Sequence, residues 1–193
     1  TMSDAKTVPC PPGNLTQDSF RVYEALEAGC VPIVDRFSDQ GNSDYWDKLF
    51  PNRPFPTISS YEELMGVVES SQSQALRNKV FAWWIKEKML LKHKLRRQLN
   101  IQYSNTFIVP TSPIPSHPTT HIIEETISSI RKHSAFDIII TIDGIRPEQE
   151  HMRADYEEYT RRLLWKCNHE WENVIPVLFE KHVHQSGMIQ EAL

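Results

Sequence analysis

A short helical segment near the start of the sequence carries charged side chains at a spacing that could bind an anion. Arg21 precedes Glu24 by three residues, and Glu27 follows at the same interval, so these side chains project toward similar sides of a helix. On a plain surface they would form weak salt bridges. At the start of a helix after a glycine turn, however, a carboxylate can accept hydrogen bonds from ribose, and an arginine with helix-start amides can hold a diphosphate.

The elements around these residues follow the order of one α/β layer. Residues 7–13 form a short extended run closed by prolines and glycine, which predicts a strand end and a turn. Apolar residues recur at helical spacing over 16–28, with Asp18 and Ser19 suited to its start and Gly29 to its end. Residues 31–34 are typical of a short buried strand, so the segment predicts strand, turn, helix and strand.

These residues resemble the donor-binding part of exostosin-type glycosyltransferases, whose catalytic domain has the GT-B fold. The resemblance rests on PPGN at 11–14, DSFRVYEALEAGCVP at 18–32, YWxxLF at 45–50 and PFP at 54–56. It implies that Glu24 binds the nucleotide ribose, that Arg21 contacts the diphosphate, and that Ser19 lies near the same groups. The match covers roughly residues 1–99 and includes the nucleotide-sugar half of such a domain, without the acceptor-binding N-terminal half.

A second α/β pattern follows a polar stretch. Residues 60–69, with Ser60-x-x-Glu63 as a capping box, and 74–99 predict helices, whereas 100–105 lack a periodic apolar pattern and mark the predicted domain boundary. Beyond it the sequence predicts strands at 106–110, 137–142 and 174–179, helices at 118–133 and 147–167, and the start of a last helix at 186. In the helix 118–133, Ile122, Ile123, Ile127 and Ile130 share the predicted buried face. This βαβαβα order implies parallel strands with right-handed crossovers.

The second half resembles the beginning of a GT-A glycosyltransferase domain. The resemblance rests on IVPTS at 108–112, TIDG at 141–144 and HQSGM at 184–188. It implies that Thr111 and Asp143 cradle the nucleobase and ribose and that Gly187 faces the nucleotide sugar. A plain Asp-Gly turn is the alternative interpretation. GT-A enzymes usually hold a divalent metal with a later Asp-x-Asp motif, which does not occur here, so we assign no metal ligand and expect a metal only in a complete GT-A domain.

The predicted fold class is therefore α/β. We expect a Rossmann-like, nucleotide-binding half of a GT-B domain at 1–99, a linker at 100–105, and the N-terminal part of a GT-A-like domain with parallel strands at 106–193. Exostosin-type enzymes can join these two domains in this order. The resemblance implies a glycosyltransferase, or a fragment of one that is inactive alone. It would take a nucleotide sugar, by preference a UDP-sugar, as donor and a glycan or other acceptor, with no tightly bound cofactor.

A basic stretch within 86–97 supports a different class of function. Its Lys and Arg residues interleave with Ile85, Met89, Leu90, Leu91 and Leu95, which favours a solvated helix face over a core stripe. The alternative is a non-catalytic α/β interaction module that binds a partner or an acidic glycan through this helix. Trp83 and Trp84 are interpreted as packing residues rather than sugar-stacking ones. Four histidines, His117, His121, His182 and His184, are interpreted as solvated or capping rather than metal-binding.

Composition narrows the remaining classes. The chain has 193 residues, 39% of them hydrophobic, and a formal net charge of −4, which indicates a folded protein without a global field for nucleic acid or an anionic membrane. No apolar run approaches the roughly 18–20 residues of a membrane helix, and no signal segment is evident, so we expect a soluble chain of undetermined compartment. Cys10, Cys30 and Cys167 are widely spaced, which favours buried thiols over a zinc site or a disulfide framework.

Overall fold

A computed structural model describes residues 5–13, 18–38, 41–42, 44–99, 105–112 and 119–183. The chain forms two compact units, Thr1–Trp84 and Ile85–Leu193. The second unit thus begins inside a long helix. The predicted linker at 100–105 lies outside the described residues apart from Asn105, and it stays a prediction.

The first unit is built on a parallel sheet. Its strands are β1 (Thr7–Cys10), β2 (Val31–Asp35), β3 (Phe37–Ser38), β4 (Gly41–Asn42) and β5 (Thr57–Ile58). Strands β1, β2 and β5 lie side by side in that order and are all parallel, whereas β3 and β4 form a separate antiparallel pair. Every residue of β2 is buried, which fits a central strand covered on both faces.

Helices of the first unit follow the predicted order. They are α1 (Phe20–Glu27), α2 (Tyr45–Leu49), α3 (Leu64–Ser70) and α4 (Gln74–Gln98), whose second half belongs to the second unit. Gly29 ends the α1 segment with a left-handed φ of 69°, as the sequence predicts.

The predicted capping box at Ser60 is wrong. Residues Tyr61–Glu63 form a 3-10 turn before α3, and the Ser60 side chain makes no capping hydrogen bond. The Glu63 carboxylate instead accepts the backbone N–H of Ser59 at 3.0 Å. Because the tighter 3-10 turn places Glu63 differently from the third residue of an α-helix, the reciprocal pair of bonds does not form.

Aromatic and aliphatic side chains together form the core of the first unit. Its buried cluster includes Val22, Leu26, Val34, Trp46, Phe55, Val80 and Trp84. The Trp83 ring packs edge-on against Phe50 and Phe55, with centroids 5.2 and 5.5 Å away. These contacts confirm the packing interpretation of the tryptophan pair.

The second unit confirms the predicted parallel β/α order. Its strands are β6 (Thr106–Thr111), β7 (Asp137–Ile142) and β8 (Val174–Leu178), and its further helices are α5 (His121–His133) and α6 (Arg153–His169), with a 3-10 helix at Pro147–Met152. Strand β7 lies between β6 and β8, parallel to both. The predicted last helix at 186 lies outside the described residues.

The buried face of α5 is narrower than the sequence predicts. Ile123 and Ile127 are buried, but Ile122 is half exposed. Residues 123 and 127 are four apart and therefore share one side of the helix, whereas residue 122 is rotated by about 100° from its neighbour. The prediction of Ile122 in the core is wrong for this reason.

Helix α4 also turns a different side inward from the one expected. Within the second unit, Lys88 Nζ donates to Asn168 Oδ1 at 2.6 Å, Lys92 donates to Asn173 Oδ1, and Arg96 lies 3.4 Å from the Asp137 carboxylate. Leu90, Leu91 and Leu95 are exposed, so the predicted apolar core stripe is wrong at these positions. Cations four residues apart face polar acceptors of the unit, which leaves the leucines on the solvent side.

None of the three cysteines forms a disulfide, and all three are buried, as the sequence predicts. Burial raises the pKa of the Cys10 thiol to about 12 and raises the pKa values of Cys30 and Cys167 as well. Since the thiolate is the reactive form, we expect no modification by iodoacetamide at mildly alkaline pH in the native chain and full modification in urea. Mass spectrometry after alkylation measures this, and rapid native labelling of Cys10 would contradict its buried placement.

Candidate functional site

The start of α1 brings the three predicted donor-binding residues together. Ser19 is the N-cap residue, with an extended backbone, and its hydroxyl accepts the backbone N–H of Arg21 at 3.3 Å. Arg21 and Glu24 are both exposed and stand one helical turn apart. The cap and the two charged side chains thus lie along the first two turns of α1, and the unpaired amides of the first turn favour negative charge beside Arg21.

The two charges also lie near the carboxyl end of β1. Burial is the main cause of the raised pKa of Cys10, the last residue of β1, but the charge of Arg21 lowers that pKa and the charge of Glu24 raises it. Both side chains therefore influence the strand end electrostatically. Parallel α/β sheets bind their ligands at the carboxyl ends of strands, and the predicted residues occupy such a position.

The neighbouring carboxylate Glu27 has a different use. It accepts a hydrogen bond from the indole nitrogen of Trp84, with Nε1 and Oε1 3.0 Å apart. Glu27 therefore anchors α1 to the buried cluster of the first unit, whereas Glu24 points to solvent. Of these two glutamates on one helix, Glu27 thus has a structural role and Glu24 is available to a ligand.

Asp18, which the sequence indicates only as a helix-start residue, also neighbours the site. The pKa of Tyr23 is raised to about 12, first by burial and then by the charge and hydrogen bond of Asp18. The pKa of Tyr45 is raised by the same causes. Two tyrosine side chains thus lie beside one carboxylate immediately before the N-cap of α1. Tyr45 is 27 positions beyond Asp18 in the sequence, so no local spacing indicated this contact.

A second charged cluster, which the sequence analysis did not predict, lies at the end of β2. Arg36, the residue after that strand, lies 3.1 Å from one oxygen of the Asp47 carboxylate, and Arg53 lies 2.7 Å from the other. The hydrogen bond from Arg53 lowers the pKa of Asp47. Two guanidinium groups sharing one carboxylate leave a positive charge in excess next to a strand end. An arginine directly after a buried strand is the signal that could have indicated it.

In the second unit, Thr111 and Asp143 meet at the carboxyl ends of β6 and β7. The backbone N–H of Asp143 donates to the Thr111 carbonyl at 3.0 Å. The Thr111 hydroxyl shares a 2.6 Å hydrogen bond with the Tyr159 hydroxyl. The structure therefore brings together two of the three residues implied by the GT-A resemblance. The third, Gly187, lies outside the described residues.

Both oxygens of the Asp143 carboxylate already have partners within the protein. This residue is only 2% exposed. Its Oδ1 accepts backbone N–H groups of Gly144 at 2.9 Å and Val183 at 2.8 Å, and its Oδ2 lies 2.5 Å from His182 Nδ1. These bonds tie the end of β7 to the segment after β8. The role of Asp143 as a ribose contact stays a prediction.

Position 144 requires glycine because the backbone after β8 passes very close to the end of β7. A Cβ atom placed on this residue would lie 2.2 Å from the carbonyl carbon of Lys181 and 2.7 Å from the backbone nitrogen of His182. Real Cβ atoms essentially never come so close to other atoms. The Asp-Gly pair therefore marks a backbone-to-backbone contact in addition to the turn that its sequence suggests.

The described residues contain neither a candidate metal site nor a candidate membrane-spanning helix. Within those ranges, no three His, Cys, Asp or Glu side chains are grouped so that they could hold a metal ion. His121 pairs with Glu125 at 3.2 Å and His182 with Asp143, while His117 and His184 lie outside these ranges. Among the helices of the described segments, none combines the length and apolarity needed to cross a membrane.

The fold and site define a protein with two α/β units, each built on a sheet of parallel strands. The first unit presents charged residues at a capped helix start. Comparison with protein-family models, curated proteins and solved structures gives no match.

Proposed function

We propose that the first unit binds the ribose and diphosphate of a nucleotide sugar at the start of α1, as the donor-binding part of a glycosyltransferase. The observation that carries this proposal is the exposed pair Arg21 and Glu24, one turn apart behind the Ser19 cap and beside the end of β1. The cation and the helix-start amides suit a diphosphate, and the carboxylate suits the ribose hydroxyls. All of them lie at a strand end, where α/β sheets bind ligands.

Each group has a distinct role in the proposed complex. Glu24 accepts hydrogen bonds from the ribose hydroxyls. Arg21 and the first amides of α1 hold the diphosphate, which is the leaving group when an acceptor attacks the anomeric carbon. The Arg36 and Arg53 pair around Asp47 adds positive charge at the next strand end and raises the local concentration of an anionic donor.

The second unit is proposed as the beginning of a GT-A-like domain. The contact between Thr111 and Asp143 at neighbouring strand ends supports this assignment, as does the parallel β6-β7-β8 order. The acceptor is proposed to be a glycan or a similar hydroxyl-bearing molecule, because a nucleotide-sugar donor requires such a nucleophile.

Calorimetric titration with UDP and UDP-sugars tests the first site. Replacing Glu24 by glutamine, or Arg21 by glutamine, is expected to weaken nucleotide binding by about tenfold or more, since each removes a charge-assisted hydrogen bond. The thermal midpoint should stay near that of the unchanged chain because both side chains are exposed. Chelating divalent metals should leave the affinity unchanged, as the proposed contacts are a guanidinium, amides and a carboxylate.

Glu27→Gln is the matched control. It changes the same residue type three positions along α1 but weakens the contact to Trp84. We expect this variant to lose stability and to keep its nucleotide affinity. Absence of heat with every nucleotide, or equal affinities for the Glu24 and Arg21 variants and the unchanged chain, would overturn the proposed function.

A further inference from the structure

The second half of α4, together with Leu99 directly after its last residue, exposes four leucines within ten residues. Leu90 is 52% exposed, Leu91 58%, Leu95 49% and Leu99 70%; we call this set the leucine face. Single exposed apolar residues are common on protein surfaces, but a contiguous group usually marks an interaction site. All four leucines belong to the second unit.

Specific polar contacts along the adjoining side of the helix determine which side is exposed. Lys88 and Lys92 donate to Asn168 and Asn173, and Arg96 reaches Asp137. Rotating α4 to bury the leucines would break these contacts and leave the buried Asp137 carboxylate without its arginine, at a high cost in free energy. The exposure of the leucine face is therefore built into the packing of the unit.

The arrangement of the leucine face matches a helical ligand. Leu91, Leu95 and Leu99 follow one another at four-residue intervals. The backbone N–H of Leu99 donates to the Leu95 carbonyl at 3.0 Å, so the three form a row about 12 Å long that runs along one side of α4 to the residue after its end. Leu90 lies beside this row between the exposed Lys86 and Lys94, each four residues away. Glu87 lies four residues before Leu91, so this edge carries two lysines and one glutamate. The face thus combines an apolar row with an edge of net positive charge.

We infer that the leucine face binds an amphipathic helix of another protein, with apolar residues at three- and four-residue spacing and acidic residues along one edge. The apolar residues would cover the leucine row, and the acidic ones would lie against Lys86 and Lys94. This inference is independent of the proposed nucleotide site.

Charge favours this partner over the two other candidates. If a second copy of the chain bound through the same face, the basic edge of one copy would lie against the basic edge of the other. Lys88, Lys92 and Arg96 border the leucine row on its other side and would add to this repulsion. Like charges across an interface are unfavourable. An anionic lipid surface would have to accept the whole chain, whose net charge is −4, whereas a partner helix needs to meet only this face.

Two designed helical peptides test the inference by fluorescence anisotropy. Both carry leucines at three- and four-residue spacing, one with glutamates and the other with lysines along the edge. We expect the full chain to bind the glutamate peptide at least about tenfold more tightly than the lysine peptide, with an affinity that falls as salt rises. The double variant Leu91→Gln with Leu95→Gln should lose about tenfold or more in affinity.

Met65→Gln is the control variant, because Met65 is an exposed apolar residue of α3 outside the leucine face, and it should leave binding unchanged. Circular dichroism verifies that the leucine variant is folded. Three results would each overturn the inference: equal or absent binding of the two peptides, self-association in sedimentation that the leucine variant abolishes, and leucine-dependent binding to vesicles containing phosphatidylserine without binding to the glutamate peptide.

Discussion

Replacing Gly144 with alanine is expected to destabilise the second unit by about 3 kcal/mol or more, because a methyl group at this position has no room. The added carbon would lie 2.2 Å from the Lys181 carbonyl carbon, and 2.5 Å from its oxygen. These neighbours are backbone atoms, so no side-chain rotation relieves the overlap. The carboxyl end of β7 and the segment after β8 would have to move apart.

Gly66→Ala is the matched control for this substitution. A methyl group on Gly66, in α3, meets no atom within 4 Å, and alanine is the better helix former by roughly 0.5–1 kcal/mol. The two variants should therefore change stability in opposite directions. Hydrogen exchange of the β7 and β8 amides measures the effect in the second unit specifically. If the β7 and β8 amides of the Gly144 variant were as protected from exchange as those of the unchanged chain, the close contact between residues 144 and 181 would be absent in solution.

Replacing Asp143 with alanine is expected to cost the second unit about 3–5 kcal/mol, because it removes one partner of a buried charged network. Two backbone N–H groups, from Gly144 and Val183, and the ring of His182 would lose their acceptor. Leaving buried donors without partners costs more than the net energy of the bonds themselves. Urea unfolding followed by the same β7 and β8 amides measures this loss.

Asp155→Ala is the comparison, since Asp155 is exposed on α6 and should change stability by no more than about 0.5 kcal/mol. Asp143→Asn separates the structural role from the predicted ribose contact. The structural role predicts lost stability that nucleotide does not restore. Weaker nucleotide binding with unchanged stability would instead favour the ribose contact, and it would contradict the buried network described above.

Local patterns were sufficient to predict most of the elements. The helical repeat of apolar residues over 16–28 and the Gly29 stop predicted α1, and the apolar run DIIITI predicted β7. The parallel order of the three strands in the second unit followed from alternating strands and helices, whereas the third strand of the first unit, β5, was not predicted. These features depend on residues within a few positions of one another, where backbone preference and side-chain periodicity act.

The use of individual polar side chains was much less predictable. Glu24 and Glu27 look equivalent in the sequence, yet Glu27 bonds to Trp84, which is 57 positions away. Spacing along one helix gives no information about which carboxylate faces a distant indole. The Asp18 contact to Tyr45 was missed for the same reason.

The sequence by itself determined the α/β class, most of the helices and longer strands, and the placement of Arg21 and Glu24 on one helix start. Only the tertiary structure decided that Asp143 is enclosed by the chain and that Lys88 and Lys92 of α4 bond to the second unit while Leu90, Leu91 and Leu95 face solvent. Those outcomes depend on Val183, 40 positions beyond Asp143, and on Asn168, 80 positions beyond Lys88. A buried polar group must find a partner wherever the fold places one, and local periodicity does not encode that position.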